Sequence, residues 1–173
     1  EIIKGPATLL YGNNAFAGVV NIINPLISQD KPLFEQKIET NFAYSTSGGE
    51  VKTALKALKS VDNFSMRGMG SFLSSGSYNL ANSSTNQLNS AKNNFTVGLG
   101  LTYNDGNNFF GVSVDKLEAE YSLPGGEGVE NRTSINPTRN LVNFKSGLAV
   151  DWNIFNKLSI DGTISEYNHA ERV

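Results

Sequence analysis

His169 is the only histidine in the chain, and Glu171 follows two residues later. An imidazole nitrogen and a carboxylate oxygen are both metal donors, but a zinc ion takes about four N, S or O ligands. His169 and Glu171 would therefore need partners from elsewhere. The plainer reading is a solvated pair at the outer end of a strand. Glu127 and Glu130 lie in the stretch LPGGEGVENRTSINP, residues 123–137, where they would hold a cation or substrate, or simply keep a loop soluble. Asn104-Asp105-Gly106-Asn107 has the oxygen-rich look of a calcium loop but lacks the bidentate glutamate that such a loop requires. It reads as a hairpin turn. Asn131-Arg132-Thr133 fits a glycosylation pattern by chance. With no cysteine there is neither a disulfide nor a thiolate metal site. No nucleophile–base–acid set can be built around a single histidine, so we expect neither enzyme activity nor a bound cofactor.

The elements that carry these residues read as strands. Ten Phe, six Tyr and 17 Gly favour pleated surfaces and turns. From Gln36 onward the period is two. Ile38, Thr40, Phe42 and Tyr44 alternate with Lys37, Glu39, Asn41 and Ala43; Val51, Thr53, Leu55 and Ala57 alternate with Lys52, Ala54, Lys56 and Leu58. A third strand runs from Phe64 to about Gly76. Phe95, Val97, Leu99, Leu101 and Tyr103 face away from Thr96, Gly98, Gly100 and Thr102. Phe110, Val112 and Val114 oppose Gly111, Ser113 and Asp115. Val142, Phe144, Leu148 and Val150 oppose Asn143, Lys145, Gly147 and Asp151, and Leu158, Ile160 and Ile164 oppose Ser159, Asp161, Thr163 and Ser165. Short turns are expected near residues 48, 62, 105 and 153–156, with long polar connections at 77–92 and 123–137. The strands, about 10 to 14 residues long, exceed the usual 5 to 6 and suit a tilted bilayer span. Alternation of short and long connections is the habit of outer-membrane barrels. A soluble sandwich gives the same period with its apolar face turned inward.

Residues 1 to 24 differ. Ile2-Ile3 is strand-like and stopped by Gly5-Pro6; residues 7–10 suit one helical turn; Gly18 to Ile23 reads as a buried strand. The first residues are neither a start methionine nor a signal segment, so the chain is expected to be truncated there. The net charge of −2 argues against a nucleic-acid partner.

The string Glu1-Ile2-Ile3-Lys4-Gly5-Pro6-Ala7-Thr8-Leu9-Leu10-Tyr11-Gly12-Asn13-Asn14-Ala15-Phe16-Ala17-Gly18-Val19-Val20-Asn21-Ile22-Ile23-Asn24 closely resembles the C-terminal plug signature of TonB-dependent outer-membrane receptors. Gly5, Pro6, Leu10, Tyr11, Gly12, Ala15, Gly18, Asn21 and Ile22 carry the match; Thr8, Ala17 and Asn24 depart mildly from it. A second run resembles the zinc- and metal-uptake branch of these receptors. It comprises Tyr121, Leu123, Pro124 and Gly125, followed some forty residues later by Tyr167, His169 and Glu171. Gly126 stands where that branch often has histidine, and no histidine occurs in the 123–137 loop.

The resemblance implies an all-β fold: about seven antiparallel strands of a transmembrane barrel of roughly 22, preceded by the end of a plug. Residues 1–25 would close the plug, 26–35 link, and 36–173 begin the barrel. It implies active import of a scarce metal ion or metal complex (siderophore, haem or zinc) through the outer membrane of a Gram-negative bacterium. The partners would be membrane lipid, the metal or metal-chelate substrate, and the TonB complex, contacted through a segment outside this sequence. A passive porin is disfavoured because porins lack the plug signature. The rival from another class is a soluble β-sandwich binding or adhesion module presenting its two long loops.

Overall fold

The computed structural model describes residues 2–4, 18–20, 25–32, 34–80, 85–124, 133–152 and 154–172. Two short strands, β1 (Ile2–Lys4) and β2 (Gly18–Val20), pair antiparallel, with Ile3 opposite Val19. The signature segment thus closes on itself as a small ladder. Of its marker residues only Gly18 falls in a described strand; Gly5, Pro6, Leu10, Tyr11, Gly12, Ala15, Asn21 and Ile22, and the expected helical turn at 7–10, lie outside the described residues.

The period-two region forms one antiparallel sheet of seven strands in sequential order. These are β3 (Gln36–Ser45), β4 (Glu50–Val61), β5 (Phe64–Ser75), β6 (Lys92–Asn104), β7 (Phe109–Ser122), β8 (Ser134–Trp152) and β9 (Phe155–Arg172). The order is that of a meander: each strand pairs with the next in the chain. The sheet is open, with β3 and β9 at its edges.

Turn chemistry sets the connections at one end of the sheet. Val61 pairs with Phe64 across Asp62-Asn63, with Asp62 at a left-handed φ of 53°, a conformation that short polar side chains tolerate. Asn104 pairs with Phe109 across a turn with Gly106 at φ 100°. Trp152 pairs with Phe155 after a register shift beyond Ala149. At the opposite end the β3–β4 link is a tight 3-10 turn, Ser47–Gly49, while the connections from β5 to β6 and from β7 to β8 are the two long ones.

Two boundaries differ from expectation. The loop at 123–137 ends earlier, because Ser134 to Pro137 belong to β8. Ile135 pairs with Tyr121 on one side and Glu171 on the other. Pro137 is tolerated because the β7–β8 ladder has no pair at Ala119 and Glu120, where its missing N–H would have been required. The turn at 153–156 is shorter than expected, since Phe155 is already paired.

Candidate functional site

The pairing registers sort the strand side chains onto two faces of different character, although the second also holds the buried Phe109 and Ile135. One carries the large apolar residues, and they are exposed. Ile38 is 74% accessible, Leu99 57% and Ile164 75%, and Phe42, Leu55, Phe64, Met66, Phe95, Val97, Val114 and Ile160 are also exposed. The other face carries Ser65, Thr102, Ser113, Asp115 and Asn143, all buried. This inverts the arrangement of a water-soluble sheet, where apolar rows are covered and polar rows are wet.

The apolar band does not run straight across the ladder. On β3 and β4 its edge toward the long loops is Tyr44 paired with Val51; on β5 and β6 it is Phe72 paired with Phe95. On β8 and β9 it is Val142 paired with Ile164, in the pairing row that runs through Val114, Leu99, Gly68 and Ala57 to Ile38. Ile38 lies six residues from Tyr44, and six strand steps separate β3 from β9, so the band drifts one residue per strand. Beyond it on the same face polar groups take over. Lys116 pairs ionically with Glu118 at 2.5 Å, and the Asn140 amide donates to Glu166 at 3.1 Å.

The polar face is where a site would be built. Leu26 and Ile27, expected to belong to a featureless linker, are 1% and 7% exposed and lie against this face. Glycines make room for them: a Cβ on Gly98 would come within 2.6 Å of the Leu26 side chain, and one on Gly111 would collide with Ile27. The segment is held further along by the Asn104 amide, which donates to the Gln29 carbonyl, and by Lys31 Nζ, which donates to Asn63 Oδ1 at 3.2 Å. These contacts were missed from sequence. The available signal was the occurrence of Gly98 and Gly100 on one strand and Gly111 on the next.

Beside this strap the face carries a hydrogen-bonded polar row. Arg139 Nη2 donates to Asp115 Oδ1 at 3.0 Å, the Asp115 side chain being 1% exposed. Asn143 Nδ2 donates to Ser113 Oγ at 3.3 Å, and Thr163 Oγ1 donates to Asn143 Oδ1 at 3.1 Å. Lys145 faces Asp161 at 3.9 Å. Asp115, Ser113 and Asn143 thereby find partners in burial, as buried polar groups require, while Arg139 Nε is buried without a hydrogen-bond partner.

His169 and Glu171 lie on this polar face, at the end where the long loops emerge. Tyr167 Oη is 3.3 Å from His169 Nδ1, and His169 Nε2 is 3.3 Å from Glu171 Oε1. Strand alternation puts all three on one face two residues apart, and β9 is exposed along its length. Two metal donors are thus side by side, but no group of three or more His, Cys, Asp or Glu residues arranged to hold a metal occurs among the described residues. Glu127 and Glu130 lie outside the described residues. The Asn104–Asn107 motif is a turn stabilised from within: Asp105 Oδ1 accepts the N–H groups of Asn108 at 2.7 Å and Asn107 at 2.9 Å, and Asn104 Oδ1 accepts that of Gly106 at 2.7 Å. No helix among the described residues is long and apolar enough to cross a membrane. Comparison with family models and with curated proteins yields no match for this chain.

Proposed function

We propose that this chain is part of an outer-membrane active-transport receptor of the TonB-dependent kind, taking up a scarce metal ion or metal complex. The observation that carries the reading is the exposed apolar band and its slant. With a rise of about 3.3 Å per residue and a spacing of about 4.8 Å between strands, a drift of one residue per strand makes a level band only if the strands tilt by roughly 35°. That is the tilt of transmembrane barrels. In hydrocarbon every backbone N–H and C=O must be paired, which a continuous meander accomplishes except at its edges, where further strands would pair. The polar face, with the strap of residues 25–31 against it, would then line the lumen. The plug-like signature precedes that strap directly.

The resemblance to the metal-uptake branch and the placement of His169 beside Glu171 at the loop end support a metal or metal chelate as the substrate. The soluble-sandwich alternative needs a second layer over the apolar rows, and the described residues form no such layer. The decisive experiment is fractionation of the full-length protein. It should sediment with outer membranes and resist alkaline carbonate extraction. Recovery as a detergent-free soluble monomer would sink the receptor reading.

A further inference from the structure

Among the outward positions of β3 to β6, Lys59 is the only charged side chain. It sits one pairing row inside Val61 and Phe64, which edge the band at the short-turn end. Its row neighbours are Gln36, Met66 and Leu101. Among the described residues no ion-pair partner faces it. An ammonium in such a place is tolerated when its long stem lies along apolar surface and its head reaches the polar interface.

The adjacent row supplies what a lone cation lacks. It reads Ile38, Ala57, Gly68, Leu99. The two small residues in the middle leave a groove on the outward face, walled by Ile38 and Leu99 and continuing to Met66 and Lys59. Its floor is two strands wide, about 4.8 Å from one backbone to the next, which suits a single hydrocarbon chain. An apolar trough ending at an unpaired cation is complementary to a molecule with an acyl tail and an anionic head.

We propose that this groove binds one anionic phospholipid, its acyl chain lying over Ala57 and Gly68 and its phosphate meeting Lys59 Nζ. The inference rests on the membrane reading above. Lysine supplies a point charge with three donors for the phosphate oxygens, and the trough supplies apolar contact along the tail.

The test inserts the full-length protein into nanodiscs of phosphatidylcholine containing a small share of phosphatidylglycerol spin-labelled on its acyl chain. The wild type should show a motionally restricted lipid population. Lys59→Gln should weaken retention of the labelled lipid about fivefold, the scale of one basic residue at an anionic lipid surface, and Lys59→Arg should restore it. Ala57→Leu fills the trough from outside the fold and should abolish the restricted population with Lys59 intact. Resistance of each variant to carbonate extraction reports insertion independently. If the wild type inserts but Lys59→Gln and Ala57→Leu leave the restricted population unchanged, the lipid site is refuted while the membrane reading stands. If the wild type does not insert, both fall.

Discussion

Asp105 accepts backbone N–H bonds from Asn108 first and Asn107 second, with further donation from the Asn108 amide, and these hold its carboxyl below the ordinary value of 3.8. The sign follows from linkage. A carboxylate with a depressed folded pKa contributes stability that is fully present above its unfolded pKa and is lost as pH falls through the folded one. The β6–β7 turn should therefore loosen only in acid, below the ordinary range of aspartate. Carboxyl chemical shifts through a pH titration check this, and an Asp105 titrating at or above 3.8 would contradict it. Asp115 gives a second residue-scale prediction. Its side chain is 1% exposed, but Arg139 is 40% exposed and stays partly hydrated. Asp115→Ala should thus cost about 1–3 kcal/mol rather than the larger penalty of a fully buried broken pair, measured by urea unfolding. If the proposed metal uptake holds, His169→Ala should weaken metal binding by the full-length protein; calorimetry showing unchanged affinity would remove His169 from the proposal. The turn role of Asn104 to Asn107 was legible because Asn, Asp and Gly act through bonds to their own neighbours. The relation of His169 to Glu171 was legible as spacing alone, since a period of two puts both on one face.

At the scale of elements, the strap and the sheet floor beneath it make one unit. Among the described residues Leu26 is the most buried large apolar side chain, so Leu26→Ala should cost about 2–3 kcal/mol, toward the lower part of the range for buried leucine. Gly100→Val should displace the strap, because the added carbons would occupy the place of the Leu26 backbone. Both changes should increase protease cleavage near residue 26 while leaving the strand content by circular dichroism unaltered; a protection pattern identical to wild type would mean that the strap is not anchored there. Strand positions and turn centres were readable from the period and the turn residues. The boundary at Ser134 was not, because Pro137 reads as a loop residue in sequence and is admitted to β8 only by a gap in the neighbouring ladder.

For the whole molecule, the question is which solvent meets the apolar face. Leu99 lies near the middle of the band and is 57% exposed. If that face meets hydrocarbon, Leu99→Arg should destabilise the inserted protein by about 2–4 kcal/mol. The inward Thr96→Arg, on the same strand and opposite face, should cost far less. Unfolding titrations in lipid vesicles compare the two directly; equal costs, or a Leu99→Arg variant that gains solubility without loss of stability, would argue for water on that side.

What the sequence determined by itself was local and periodic. Alternation at every second residue specifies strands and divides their side chains into an apolar and a polar set, and the Asn-, Asp- and Gly-containing turns specify where the chain reverses. Alternation cannot say which set is covered, since a sandwich and a barrel share the same period. Only the tertiary structure decided that, because burial depends on what lies opposite a face. Here Leu26 and Ile27 lie against the polar set, over glycines at 98, 100 and 111, and the apolar set stands exposed. The slant of the apolar band likewise belongs to the registers between strands, which join residues as far apart in sequence as Ser134 and Arg172, a separation over which no residue pattern fixes alignment.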